Sequence, residues 1–259
     1  MGTTPLIALV TDFGTTDWYA ACVKSVIWSV CPTARLLDLT HEIPPHDVLV
    51  GALTLSSVVP WLPQKTICVG VVDPGVGTNR APIAASADGR FFVGPDNGLF
   101  SKVFDRAEHL TIVRLTQRRY WQSQVSSTFH GRDIFAPVAG HLARGRALHL
   151  FGSSVKTYRR LSWPSFQQTS TSVRGAVLHV DRFGNAITNI PEQLVARHPD
   201  GRVRCGPRKV RLVSTYGAGR VGELIAVIGS HGYLELALRE RSAAARYRIT
   251  RGDAVEFRW

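Results

Sequence analysis

The stretch Val69 to Arg80, VGVVDPGVGTNR, sets an apolar run directly against an acid, a glycine-rich turn and a base. Such a run reads as a buried strand, and a strand ending on an acid and glycines is how an α/β protein presents polar groups to a ligand. Asp73 and Arg80 are therefore the first candidate functional residues. The pattern recurs: Leu6 to Val10 ends in TDFGTTD, and Phe91 to Val93 runs into GPDNG. In a parallel sheet with crossover helices these strand ends lie along one edge, so Asp12, Asp73 and Asp96 are expected to converge on one crevice.

Helical signals separate the runs. From Trp18 to Val30 the apolar residues recur at helical spacing and stop before Cys31-Pro32. Ala34 to Leu39 reads as a second strand, Val48 to Val59 as a second helix closed by Pro60 and Pro63, and Thr66 to Val72 as the third strand. His130 to Asp133 forms a turn ahead of an apolar helical stretch, Ile134 to Leu142, at a helix N-terminus suited to polar or anionic groups.

Trp163 to Ser172 is polar and unpatterned and reads as a linker. Beyond it the period becomes two: GAVLHVDRFGNAITNI, KVRLVST, ELIAVIGSHGYLELAL and AVEFRW alternate between Gly-rich turns, with GSHG at 229–232 as a hairpin turn. The expected fold class is α/β, with an N-terminal Rossmann-like α/β domain over 1–165 and a smaller all-β C-terminal domain, barrel or sandwich, over 173–259.

Composition narrows the function classes. With 44% hydrophobic and 19% charged residues and a mean hydropathy of +0.01, the 259-residue chain reads as globular and neither disordered nor fibrous. No apolar run approaches the roughly 18–20 residues that cross a bilayer. The opening MGTTPLIALV lacks the basic start and apolar length of a signal peptide and reads as a turn entering the first strand. Cys22, Cys31, Cys68 and Cys205 form no CxxC pair and do not cluster with histidines, so no zinc or redox motif is indicated; four buried thiols in a reducing cytoplasm is the expectation.

The net charge of +12 is uneven: residues 1–100 carry 5 basic and 8 acidic side chains, residues 101–259 carry 26 and 11. A basic half raises the question of nucleic acid. The arginines are scattered along the chain, with no helix-turn-helix, RRM, KH or zinc-finger signature, so a solvated basic surface is the expectation and nucleic acid is not an expected partner.

No GxGxxG follows the first strand, and neither a GxxxxGK[ST] nor a GxSxG occurs. The candidates are then the strand-end acids, with Arg80 and His130 able to join them. Asp12 suits either a ribose diol or a helix N-cap, and spacing alone does not choose. Asp73 with Arg80 reads as an ion pair bracing a glycine loop, and His130 as an ordinary loop histidine, unless the three meet. Together they would hold and polarise a water, with Arg80 lowering its pKa and Asp73 or His130 accepting a proton.

TDFGTTDWY, THEIPPHDV, VVDPGVGTNR, GPDNGL, TFHGRDIFAP, DRFGNAITNIP and GSHGYLELA follow one another over nearly the whole chain. In that order they resemble the motifs of the S-adenosylmethionine (SAM) hydroxide adenosyltransferases, hydrolases related to the SAM-dependent fluorinase and chlorinase. The resemblance implies a homotrimer with SAM bound where one subunit's first domain meets its neighbour's second, and water displacing methionine at the ribose 5′ carbon without metal or redox cofactor. Asp73, Arg80 and His130 match the family's water-handling triad and Asp12 the acid on the ribose hydroxyls. Asp181 matches the residue for the methionine ammonium and Asn185 the adenine-reading amide. Phe183 and Tyr216 lie near positions flanking the base, Ser230 and Glu235 in the motif that also lines the pocket, and His46 at a ribose-pocket position usually aromatic.

The halogenating relatives have a tyrosine where this chain has Asp73, a serine next to the aromatic where it has His130-Gly131, and, in the fluorinase, an extra loop in the first domain. An acid at 73 would repel a halide, so the resemblance favours hydrolysis over halogenation. A non-catalytic adenosyl-ligand sensor or RNA-associated protein, suggested by the basic second half, is the alternative of another class.

Overall fold

The structure, a computed structural model, describes residues 4–259. The first three residues of the opening turn expected from sequence lie outside the described residues. The chain divides into two compact units at Leu161 and Ser162.

Alternation along β1 (Leu6–Thr11) decides the layering of the first unit. Ile7 and Leu9 enter one apolar cluster with Val23 and Ile27 of α1 (Tyr19–Val30) and Val138 and Leu142 of α4 (Ala136–Ala143). Ala8 and Val10 enter a second cluster with Val50 and Leu55 of α2 (Val48–Val58) and Phe104 of α3 (Ser101–Phe104). Successive strand residues point to opposite faces, so a strand apolar at every position requires a helix layer on both sides. Each fully buried Ile or Leu of this kind contributes about 1.5–3 kcal/mol.

The sheet has seven strands: β1, β2 (Arg35–Thr40), β3 (Ile67–Val71), β4 (Pro82–Ala87), β5 (Arg90–Pro95), β6 (Leu110–Leu115) and β7 (Gly152–Val155), in the order β2-β1-β3-β5-β4-β6-β7. Its neighbours β2, β1, β3 and β5 are parallel, as the sequence suggests. The remaining strands correct the expectation of a wholly parallel sheet: β4 pairs antiparallel with β5 and β6, and β7 antiparallel with β6. The β4–β5 turn is the two residues Asp88-Gly89, both at positive φ (45° and 79°), the geometry of a tight hairpin.

The second unit is a closed barrel. Seven strands run around it in the order β10 (Ala186–Pro191), β14 (Tyr233–Leu238), β13 (Leu224–Ile228), β12 (Arg208–Leu212), β11 (Arg202–Cys205), β15 (Ala254–Arg258) and β9 (Ser172–Val180), and pairing of β9 with β10 closes the ring. All pairs are antiparallel except β12 with β13. The interior holds Val173, Val203, Leu234, Leu236 and Phe257. The stretch expected as a linker contributes β8 (Gln167–Gln168), which pairs with β9. Of the cysteines, Cys31, Cys68 and Cys205 are buried but Cys22 is only half-buried, and burial pushes the Cys68 thiol up to about 12.

Candidate active site

The strand order 2-1-3 makes the boundary between β1 and β3 a switch point, where chain leaving neighbouring strands turns to opposite sides and opens a crevice at their carboxyl ends. Asp12 follows β1 and Asp73 follows β3, and both line a cavity of about 300 Å³ with His46 and His130. Phe13, Tyr19 and Phe129 form its aromatic wall, with ring centroids 5.4–5.9 Å apart. The third expected acid is absent from this crevice. Asp96 accepts from the Arg159 backbone N–H at 2.7 Å, because the chain beyond Tyr158 lies against the β5 end.

Asp12 does not cap a helix: the N-cap of α1 is Trp18, and the Asp12 carboxylate accepts from the His46 N–H at 2.8 Å. His46 makes this bond from a left-handed backbone conformation, φ 67°. His46 thus holds Asp12 through its backbone N–H.

Asp73 and Arg80 are joined by a tight turn in which Val76 N–H donates to Asp73 O and Thr78 N–H to Gly75 O. The turn brings Arg80 Nε to 2.9 and 3.0 Å from the two Asp73 oxygens, with Nη2 donating to Oδ2 as well. Both side chains are buried, 5% and 7% exposed. Gly77, at φ 77°, lets this turn touch the loop bearing His130: a Cβ there would sit 2.4 Å from the Ser127 carbonyl oxygen. His130 itself precedes a π-helical turn, Gly131–Phe135, held by the buried Asp133, which accepts from Ser126 N–H at 2.8 Å and pairs with Arg132 at 2.6 Å.

The three residues therefore meet. Arg80 Nη2 lies 2.9 Å from His130 Nδ1. A guanidinium offers only donors, so Nδ1 must accept and the ring proton sits on Nε2. Burial first, and then the Arg80 charge, hold the His130 pKa below its usual 6.5, which keeps this neutral tautomer. Asp73 and His130 face the cavity and Arg80 does not line it. The array thus offers an incoming water one carboxylate acceptor and one imidazole donor, fixed by a shared arginine.

The other six expected residues gather in the barrel unit, around a cavity of about 900 Å³. The β9–β10 hairpin turn is closed by Asp181, whose carboxylate accepts from Asn185 N–H at 2.8 Å and from Asn185 Nδ2 at 3.2 Å. That bond fixes the amide orientation, and Asn185 Oδ1 has no partner among the described residues. Phe183, at the tip, is 78% exposed. Glu235 of β14 is 2% exposed and accepts from the Tyr216 hydroxyl and, at 2.8 Å, from His231 Nε2. Burial, then the bond to Glu235, pushes the Tyr216 pKa up, so its O–H remains a donor. Gly229 makes room for this pair, since a Cβ would lie 2.4 Å from both Glu235 Oε2 and His231 Nε2. Ser230 lines the same cavity from the hairpin tip. His231 is absent from the sequence candidates; its place four residues before Glu235 across a Gly-containing turn is the signal that finds it. Among the described residues, no group of three or more His, Cys, Asp and Glu could hold a metal ion.

Profiles of the SAM hydroxide adenosyltransferase N-terminal and C-terminal domains match residues 7–152 and 175–256. The chain belongs to the SAM hydroxide adenosyltransferase family. Within that family's relatives, it is 39% identical to an (R)-S-adenosyl-L-methionine hydrolase from Salinispora tropica, over 98% of each chain. A crystal structure of an uncharacterized conserved protein from Thermotoga maritima superposes with a TM-score of 0.92 at 34% identity, over 98% of this chain and 100% of the other. A fluorinase from Nocardia brasiliensis is more distant, 27% identical over 98% of this chain and 97% of its own.

Proposed function

We propose that this protein hydrolyses S-adenosyl-L-methionine to adenosine and L-methionine. The observation that carries the reading is the buried Asp73–Arg80–His130 array, opening on a cavity shared with Asp12, in a chain of this family. Water attacks the ribose 5′ carbon, the new C–O bond forms as the C–S bond breaks in line, and sulfur leaves with the electron pair as the thioether of methionine. The sulfonium is already a good leaving group, so the protein's task is to position and desolvate the nucleophile. Asp73 takes the water proton, His130 Nε2–H orients its oxygen, and Arg80 holds both groups without touching the substrate.

Asp12 binds the ribose hydroxyls, Asn185 Oδ1 accepts from the adenine amino group, and Asp181 pairs with the methionine ammonium. Phe183 and Tyr216 flank the base, while Ser230 and Glu235 complete the pocket wall. Residues 1–165 thus handle the nucleophile on a Rossmann-like sheet, and residues 173–259 hold adenine and methionine. We assign the working enzyme as a homotrimer in which each site joins the first domain of one subunit to the second of its neighbour. No further cofactor enters this reaction. Free thiols at all four cysteines fit a cytoplasmic enzyme.

A carboxylate lining the cavity at 73 repels halide, which favours hydrolysis over the fluorinase reaction. Similarity to the (R)-S-adenosyl-L-methionine hydrolase of Salinispora tropica further suggests the R sulfonium epimer as the substrate. Reaction in ¹⁸O-labelled water with the R and S epimers tests this: label in the adenosine 5′ hydroxyl and faster turnover of R are expected. Release of no adenosine overturns the activity, and preference for S overturns the epimer assignment.

A further inference from the structure

The arginines that the linear sequence scatters are collected by the barrel's register. The unit from Ser162 onward carries 15 Lys and Arg against 8 Asp and Glu. Across four neighbouring strands Arg174, Glu256, Arg204 and Lys209 stand in one row, and Ser172, Arg258 and Arg202 stand beside them in the next. Residues two apart on a strand share a face, and the intervening Val173, Val203, Val210, Val255 and Phe257 are buried, so these rows point outward. Arg202 lies directly opposite Arg258, and Arg204 opposite Lys209. Like charges facing each other across a ladder are destabilising, so packing of the barrel does not account for them.

Two acids, Glu256 and Asp253, line this region and relieve it only in part. Glu256 pairs with Arg258 at 2.9 Å, and among the described residues no carboxylate lies in ion-pair range of Arg174, Arg202, Arg204 or Lys209. The face is not flat. Arg174, Arg204, Arg208, Arg248 and Arg258 rim a groove of about 470 Å³, with the Tyr247 ring in its wall beneath the Arg208 guanidinium at 5.3 Å. Cations about 4.8 Å apart between strands and about 6.8 Å apart along them match a polymer of closely spaced phosphates. A concave groove with an aromatic wall admits a flexible strand, whereas a lipid surface meets a plane and a duplex is too wide to enter.

We infer that the outer face of β9, β15, β11 and β12 binds the backbone of a single-stranded nucleic acid, without sequence preference and apart from the reaction cavities. About four neutralised phosphates, at ~0.7 per contact for single strands, predict an affinity loss of roughly 50-fold between about 50 mM and about 200 mM salt.

The test is fluorescence anisotropy of the full-length protein with a labelled single-stranded RNA of mixed sequence, longer than a site of about 4–16 nucleotides. The comparison is with the triple variant R202E/R204E/K209E, whose SAM turnover and oligomeric state are measured alongside to establish that it folds. Salt-sensitive binding by the wild type and at least a tenfold loss in the variant, with turnover retained, are expected. No binding at about 50 mM salt, equal binding by the variant, or binding to phosphatidylserine vesicles in place of RNA would each overturn the assignment. Should the triple variant fail to fold, R204Q alone must weaken RNA binding, and unchanged affinity in it overturns the inference equally.

Discussion

Arg80 Nη2 donates to His130 Nδ1 at 2.9 Å, and this one contact fixes which nitrogen of the imidazole can face substrate. Protonation of His130 would set an N–H against a guanidinium and lose the bond, which is the same conflict that lowers its pKa. The folded-state pKa lies below the unfolded value of about 6.5, so the neutral ring's contribution is complete above about pH 6.5 and is lost as pH falls toward the folded pKa. The acid limb of kcat/KM is therefore expected below that of free imidazole. NMR of His130 in ring-labelled protein should show the Nε2–H tautomer at pH 7; an Nδ1–H tautomer would remove the basis for the assignment.

Arg80→Lys keeps the charge and loses the fork that joins both Asp73 oxygens and His130. Its kcat is expected to fall about 10²-fold or more with KM for SAM changed little, because in the proposed reaction the pair positions the nucleophile. Asp73→Asn should show the same split. It also leaves the arginine buried and unpaired, a cost of about 3–5 kcal/mol visible as a lower melting temperature. A kcat near wild type in either variant would place proton acceptance elsewhere.

Gly77 tests whether the two loops must touch. A side chain there meets the Ser127 carbonyl oxygen at 2.4 Å and forces a left-handed backbone on a non-glycine residue. Gly77→Ala is expected to cost about 1–3 kcal/mol of stability and to lower kcat by displacing the His130 loop. Gly145→Ala is the control, since its φ is also positive and nothing lies within 4 Å of the added Cβ. If the two substitutions behave alike, backbone strain and not loop contact sets the effect.

Much of this arrangement is legible in the chain. Unbroken apolar runs at 6–10 and 67–71 announce strands covered on both faces, and the acids after them fall where the switch point lies. What was hard to read has identifiable causes. The strand over 82–87 is short and rich in alanine, so periodicity gives little sign of it, although Asp88-Gly89 is a strong hairpin signal. The strand-end rule fails at Asp96 because the chain around Tyr158, remote in sequence, supplies its donor. The basic face is a product of cross-strand register, which a linear spacing does not display.

Tyr216 and His130 should differ in how their roles depend on pH. Glu235 is 2% exposed, and its carboxylate relies on the Tyr216 hydroxyl and on His231. Tyr216→Phe removes one donor from a buried charge, a loss of about 1.5–3 kcal/mol, while the ring that flanks the pocket is kept. Because Glu235 and Tyr216 line the cavity assigned to substrate and not the nucleophile's, KM is expected to rise about tenfold with kcat within about twofold of wild type. The Tyr216 pKa is raised above its usual 10, so the hydroxyl remains a donor throughout the working range. The ratio of wild-type to variant KM should accordingly stay constant between about pH 6 and about pH 9. A ratio that changes across that interval, or a loss confined to kcat, would show that the Tyr216–Glu235 pair serves the proton transfer and not the hold on the substrate.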